Sequence, residues 1–150
     1  MEPTDCSSIE SWVGRAASRQ FPVTDALIGA FADLSGDRSP IHVDETVARD
    51  RGLQGCVMHG ALQASLVSCV LGMDLPGPCG MLQQLALQFR KPCYAGDQLT
   101  VTVEVEEAFD SVQTISMSVR IVNQDGRLVT SGKAQSGVVL RGVAQSGDDR

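Results

Sequence analysis

Residues 57–73 read VMHGALQASLVSCVLGM and form the longest mainly apolar stretch of the 150-residue chain. This stretch is too long for a strand, and it is too short and too polar for a membrane span of about 20 apolar residues. Apolar residues lie on most sides of its helical projection. The sequence therefore predicts a buried helix that the rest of the fold surrounds. The segment Leu75-Pro76-Gly77-Pro78 ends that helix.

Beyond this helix the apolar residues alternate with polar ones, which is the period of a β-strand. The alternation predicts strands over residues 82–89, 99–105, 115–121 and 128–140, with a hairpin turn at residues 123–126. A long buried helix followed by an antiparallel meander of three or four strands predicts an α+β fold. In this fold the sheet curls around the helix and leaves edges that a second subunit can cover.

Two shorter helices precede the buried one. Thr24-Asp25 provides a cap for a helix that Gly36 ends, and Asp44 caps a second helix over residues 44–51. Residues 1–19 are predicted to be flexible or to hold a short helix over residues 9–17. Residues 20–140 then form a single folded domain, and residues 141–150 form a disordered tail.

Composition excludes several classes of function. The net charge of -6 and the lack of a basic stripe argue against a nucleic-acid partner. The polar, acidic N-terminus is unlike a secretory signal, and no stretch predicts a membrane partner. Five irregularly spaced cysteines and only two histidines predict free thiols in a reducing cytoplasm and no metal site. We therefore expect a cytoplasmic protein.

One turn carries an acid and a base close together. Asp37 lies five residues before His42, and Pro40 between them prevents a continuous helix. The two side chains are therefore predicted to face each other across the turn. A carboxylate and an imidazole held in this way are suited to general acid–base catalysis.

The start of the buried helix provides a second chemical feature. Its first N–H groups have no intrahelical partner and lie at the positive end of the helix dipole, where they can bind an oxyanion. Gly60 allows a substrate carbonyl to approach closely, because it has no side chain. Ser68 lies about 12 Å further along the helix, which is far enough to line the depth of a pocket.

The segment FADLSGDRSPIHVD at residues 31–44, followed by Ala48 and then by His59-Gly60, resembles the signature of the MaoC-like (R)-specific enoyl-CoA hydratases and 3-hydroxyacyl-thioester dehydratases. The resemblance covers about residues 20–139. It implies a single hot-dog fold, in which an antiparallel sheet wraps a long central helix and subunits pair edge to edge. It also implies an acyl-thioester substrate, fatty acid metabolism, and a homodimer or higher homo-oligomer.

The resemblance also implies roles for individual residues. Asp37 and His42 fall on the catalytic pair, Gly60 on the glycine whose amide polarises the thioester carbonyl, and Ser68 on a pocket serine. Ser39 occupies the position before the motif proline at which the family usually carries Asn. We place His59 in the same site and expect it to bond nearby backbone rather than to act as a second base.

The reaction implied is hydration of a trans-2-enoyl-CoA to an (R)-3-hydroxyacyl-CoA, and the reverse dehydration, through one water and without a cofactor. The substrate would be carried as a thioester of CoA or of an acyl carrier protein. Two alternatives remain open at this point. One is an acyl-CoA thioesterase on the same fold, and the other is a non-catalytic thioester-binding or dimerisation module.

Overall fold

A computed structural model of the chain describes residues 9–139. The helices are α1 (Asp25–Ser35), α2 (Pro40–Val43), α3 (Glu45–Asp50) and α4 (Gly60–Met73). The strands are β1 (Ala16–Pro22), β2 (Gly80–Phe89), β3 (Gln98–Phe109), β4 (Thr114–Val122) and β5 (Leu128–Val138). Single 3-10 turns lie at Glu10–Trp12, Gly77–Cys79 and Asp110–Val112.

The five strands form one antiparallel sheet in the order β1-β3-β4-β5-β2. Helix α4 packs against the sheet and contacts β1, β2 and β3. Alternate residues of β3 and β4 are buried against it, as a strand with one covered face requires. The core combines them with the inward side chains of α4: Leu62, Leu66, Val67, Val70, Leu99, Val101, Val103, Ile115, Met117 and Val119. The predicted α+β arrangement is confirmed.

The prediction for residues 9–19 is wrong in part: residues 10–12 form a single 3-10 turn, but the chain then enters strand β1 at Ala16 instead of staying helical or flexible. Trp12 is fully buried, and β1 begins at Ala16 and pairs with β3. Arg19 of β1 donates a hydrogen bond to Asp74 Oδ1 at 2.7 Å, just beyond the end of α4. The predicted boundary at residue 20 therefore falls inside a strand. Four strands follow the central helix, within the predicted three or four, and β1 adds a fifth strand from before it. Residues 1–8 and the tail at residues 141–150 lie outside the described part.

The ends of α1 and α3 are fixed as the sequence predicts. Thr24 Oγ1 accepts a hydrogen bond from the N–H of Leu27 at 3.0 Å, and Gly36 ends α1 with φ of 75°. Asp44 Oδ1 accepts from the N–H of Val47 at 3.1 Å and caps α3. The segment between these caps, residues 36–44, carries both predicted catalytic side chains, so it is anchored at each end.

Two further predictions concern the membrane and the cysteines. No helix within residues 9–139 is long and apolar enough to cross a membrane. Cys56, Cys69 and Cys93 are free thiols, but Cys79 is disulfide-bonded. The prediction of free cysteines is therefore wrong for Cys79, because spacing along the sequence does not report which sulfur atoms meet in space.

Candidate active site

The segment that carries Asp37 and His42 begins where α1 ends. The left-handed conformation of Gly36 turns the chain away from the helix, and Asp37 follows directly. Asp37 Oδ1 accepts a hydrogen bond from the N–H of Ser39 at 3.1 Å, which holds the carboxylate over its own turn. Pro40 then starts α2 at a position where a missing N–H costs nothing. This local chemistry fixes Asp37 and leaves its carboxylate exposed.

His42 is held in one tautomer by the backbone. Its Nδ1 lies 2.6 Å from the carbonyl oxygen of Val57. A carbonyl only accepts hydrogen bonds, so Nδ1 carries the proton and Nε2 of the neutral ring presents a lone pair. His42 is half-buried, and this lone pair makes it a proton acceptor.

The side chain of His59 contacts both Asp37 and His42. It is only 2% exposed, and its Nε2 donates to the backbone carbonyl of Asp37 at 2.9 Å. Its ring stacks on that of His42, with centroids 3.8 Å apart and planes 22° from parallel. The ring of Phe31 packs against it at 5.1 Å. His59 therefore bonds nearby backbone, as we expected, and it also fixes the plane of the His42 ring.

Residues 57–59 and the segment that carries Asp37 and His42 donate hydrogen bonds to each other. His42 donates to the Val57 carbonyl, and the Val57 N–H donates in turn to the carbonyl of Ile41 at 2.9 Å. His59 adds the bond to the Asp37 carbonyl. We call these three bonds the site brace. Through the brace, the start of α4 and the acid–base turn form one unit.

Polar atoms of Asp37, His42 and His59 lie within 4.8 Å of one another. A metal ion bound to a histidine lies in the plane of the imidazole ring. Two rings that are stacked 3.8 Å apart cannot both direct a nitrogen lone pair at one ion. The cluster is therefore suited to proton transfer rather than to metal coordination, and the absence of a metal requirement stays a prediction.

The N-terminus of α4 presents unused backbone donors. The first intrahelical hydrogen bond runs from the N–H of Gln63 to the carbonyl of His59 at 3.2 Å, and no side chain caps the helix. The amides of Gly60 and the two residues after it precede that bond, so they have no intrahelical acceptor. A Cβ atom at Gly60 would lie 2.9 Å from Cε2 of Phe89, so any larger residue at this position requires the ring to move.

Two cavities flank the site brace in the single chain. One, of about 320 Å³, is lined by His42 and by residues of α1. The other, of about 260 Å³, is lined by Gly60, Gln63 and Phe89, with Arg90 and Lys91 among its remaining residues. The Asp37–His42 turn and the first residues of α4 are joined directly by the bonds that residues 57–59 make to the turn. Ser68 is exposed on the outer face of α4, so the single chain does not enclose it in a pocket.

The cysteine beside His42 is not an activated nucleophile. Cys56 lines the same cavity. Partial burial first, and then the charges of Glu45, Asp25 and Asp44, raise the pKa of the Cys56 thiol. A thiol with a raised pKa stays protonated near neutral pH, so it cannot attack a thioester as thiolate.

Sequence reasoning missed one polar side chain of this region. Gln63 is 2% exposed and accepts a hydrogen bond from the hydroxyl of Thr130 on β5 at 2.5 Å. A glutamine within an otherwise apolar helix, three residues after Gly60, was the available signal. Residues at that spacing share one face of a helix.

The fold and the site together define a hot-dog domain with an acid–imidazole pair beside an uncapped helix N-terminus. Residues 13–126 match the family model described as MaoC like domain. The chain belongs to this family.

Individual relatives agree with this assignment. The chain is 34% identical over 122 residues to an (R)-specific enoyl-CoA hydratase of Aeromonas caviae. This match covers 81% of this chain and 91% of that protein. It is 39% identical over 85 residues to a 3-hydroxybutyryl-CoA dehydratase of Methylorubrum extorquens, over 57% of this chain and 54% of that protein. The solved structure of the (R)-hydratase from Aeromonas caviae superposes with a TM-score of 0.80 at 33% identity, over 84% of this chain and 96% of that one.

These relatives confirm the predicted family and the hot-dog fold. They are hydro-lyases, the enzyme class that the sequence predicts for this chain. Their names support a hydratase or dehydratase activity and leave the Asp37–His42 chemistry to be tested.

Proposed function

We propose that this protein catalyses the (R)-specific hydration of trans-2-enoyl-CoA thioesters and the reverse dehydration of (R)-3-hydroxyacyl thioesters. The observation that carries the proposal is the Asp37–His42 pair, in which the bond to the Val57 carbonyl leaves Nε2 of His42 as a proton acceptor. Relatives named as (R)-specific enoyl-CoA hydratases and 3-hydroxybutyryl-CoA dehydratases support it.

In the proposed mechanism one water lies between the Asp37 carboxylate and Nε2 of His42. Both groups accept hydrogen bonds, so together they orient the water and take one of its protons. The oxygen adds to the β-carbon of the enoyl thioester, and a proton passes from the pair to the α-carbon. Protons balance and no electrons are exchanged, so the proposed step draws on no redox cofactor.

Charge develops on the thioester oxygen as the water adds. The Gly60 N–H at the positive end of α4 is the proposed donor to that enolate oxygen. His59 acts as a positioning residue, because it bonds the backbone of Asp37 and stacks on His42 without reaching the substrate. Ser39 shapes the turn through its N–H bond to Asp37.

A second copy of the chain completes the site in this proposal. Strand β2 is an edge of the sheet and exposes Met81, Leu82 and Phe89, with 63%, 38% and 52% of their surfaces accessible. An exposed apolar edge strand favours pairing with another strand. We propose a homodimer joined at β2, which covers the outer face of α4 and gives Ser68 its place in an acyl pocket.

A thioester assay tests the proposal. Purified protein is mixed with crotonyl-CoA, and the absorbance of the conjugated thioester is followed together with free thiol. Loss of the enoyl signal without thiol release supports hydration. Thiol release instead supports the thioesterase alternative, and no reaction over a series of chain lengths leaves the non-catalytic alternative.

Variants then test the assigned pair. Asp37→Asn and His42→Ala are expected to lose at least about 1000-fold in kcat while remaining folded, as a cooperative melting transition would show, because each removes one half of the water-binding pair. Asp125→Asn, which removes an exposed carboxylate in the β4–β5 hairpin, is the matched control. Near wild-type rates in both site variants would show that the pair is not catalytic. Parallel assays with acyl-carrier-protein thioesters identify the carrier.

A further inference from the structure

Gln63 is a buried polar side chain that the acid–base mechanism does not use. It lies in the first turn of α4 with 2% of its surface exposed, among apolar core residues. Burying an amide costs free energy unless its donors and acceptors are bonded. Its place in the core therefore needs a reason.

The oxygen of the Gln63 amide has a hydrogen-bond partner. The hydroxyl of Thr130, which is fully buried on β5, donates to Oε1 at 2.5 Å and fixes the orientation of the amide group. Within residues 9–139 the structure shows no acceptor for the Nε2 group, which carries two hydrogens. The side chain lines the 260 Å³ cavity, so Nε2 is available to a ligand there.

Helix geometry places this donor beside the Gly60 amide. Helical side chains lean toward the N-terminus and cover the turn before their own Cα atom. The Gln63 amide therefore lies over the turn that begins at Gly60, on the same face of α4. Both residues line the one cavity. An oxygen placed against the Gly60 N–H is then within reach of Nε2.

We propose that Gln63 is a second donor to the thioester oxygen, so that Nε2 and the Gly60 N–H form a two-donor oxyanion site. This inference rests on the hydratase function proposed above. When the water oxygen bonds to the β-carbon, the electron pair of the double bond moves through the thioester to its oxygen, which becomes an enolate. Two fixed donors stabilise this charge, and protonation of the α-carbon then restores the neutral carbonyl.

Thr130 has a defined part in this arrangement. Its hydrogen bond keeps Oε1 toward the sheet and so keeps the donor side of the amide toward the cavity. Thr130 does not reach the substrate and is a positioning residue. Its removal lets the amide rotate, and an amide oxygen turned toward the enolate would repel it.

Kinetics of variants test the proposal. Gln63→Leu keeps the shape and removes the donor, so kcat for crotonyl-CoA hydration is expected to fall about 100-fold with KM changed less than about threefold. Thr130→Val is expected to lose about 10-fold in kcat, because Gln63 remains but loses its orientation. Gln63→Met serves as a second apolar variant if Gln63→Leu folds poorly. Gln20→Leu, at an exposed position on β1, is the matched control.

A spectroscopic readout separates this role from a purely structural one. The absorption of a bound cinnamoyl-CoA moves to longer wavelength when donors polarise its carbonyl, and Gln63→Leu is expected to reduce that movement. The proposal is overturned if both apolar variants keep kcat within about threefold of wild type, or if only KM rises, since a donor specific to the transition state acts on kcat. Failure of wild-type protein to hydrate any enoyl thioester would instead overturn the underlying function.

Discussion

Substitution of Gly60 by alanine separates the fold of α4 from its proposed chemistry. The added methyl group would lie 2.9 Å from Cε2 and 3.0 Å from Cζ of Phe89, whereas ordinary contacts at such an atom are 3.4–4 Å. The ring must therefore retreat by about half an ångström to one ångström. In the single chain Phe89 is 52% exposed, so the subunit itself leaves room for that movement.

The expected effect on stability is small. Gly60 is the first residue of α4, where alanine is favoured over glycine by less than the roughly 1 kcal/mol of a helix interior, and this gain offsets part of the cost of moving the Phe89 ring. The free energy of unfolding of Gly60→Ala should then stay within about 1 kcal/mol of wild type in urea denaturation.

The expected effect on activity is large. The methyl group and the displaced ring both enter the cavity of about 260 Å³ that carries the Gly60 N–H. A misplacement of about 1 Å at a reacting centre can cost about 100-fold in rate, so kcat/KM for crotonyl-CoA should fall by at least that factor. The enoyl absorbance assay measures it directly.

A double-mutant cycle tests the cause. If the ring is responsible, Phe89→Leu in the Gly60→Ala background should recover at least about 10-fold in kcat/KM, a coupling of about 1.4 kcal/mol between the two sites. A Gly60→Ala variant that is as active as wild type would refute the oxyanion assignment. Loss of activity with no recovery in the double variant would refute the steric reasoning.

Three further predictions follow from buried groups. Trp12→Ala should destabilise the fold by about 3–5 kcal/mol in urea unfolding, because the fully buried indole leaves a cavity; a smaller loss would show that the N-terminal turn is not part of the core. Burial, and then the charge of Asp97, raise the pKa of the Cys93 thiol from about 9 to about 11. The folded chain therefore keeps the thiol proton at pH values where the unfolded chain has already lost it. The free energy of unfolding should fall by up to about 3 kcal/mol as the pH rises from about 9 to about 11, and it should fall less in Cys93→Ala. His59→Phe keeps an aromatic ring but removes the donor to the Asp37 carbonyl, and kcat should drop about 10-fold, with the melting curve as control.

The central helix and the middle of the sheet are predictable from sequence because one periodicity dominates each of them. Helix α4 is apolar on most sides, and β3 alternates strictly from Leu99 to Val105. The sequence did not predict strand β1, because a charged residue interrupts the alternation of its apolar side chains. Its inward positions are Ala17, Arg19 and Phe21. Arg19 can face inward because Asp74, which is distant in sequence, accepts its hydrogen bond.

The site was predictable where its chemistry is local and unpredictable where it depends on the sheet. The turn from Asp37 to His42 carries its own signals, namely Gly36, the proline and the capping residues. The stacking of His42 on His59 requires the end of the turn to meet the start of α4, and no spacing reports this contact. The bond from Thr130 to Gln63 crosses 67 positions in sequence and depends on how α4 lies on β5.

The site brace also determines how this region unfolds locally. Its three hydrogen bonds join the acid–base turn to the residues that start α4, so neither segment can open without breaking bonds to the other. Segments coupled in this way open as one cooperative unit in native-state hydrogen exchange. Because the brace lies within one chain, the geometry of Asp37 and His42 relative to the first N–H groups of α4 does not depend on a second subunit. For the proposed hydratase, a change at the subunit interface would then alter the acyl pocket without altering the distance over which charge moves.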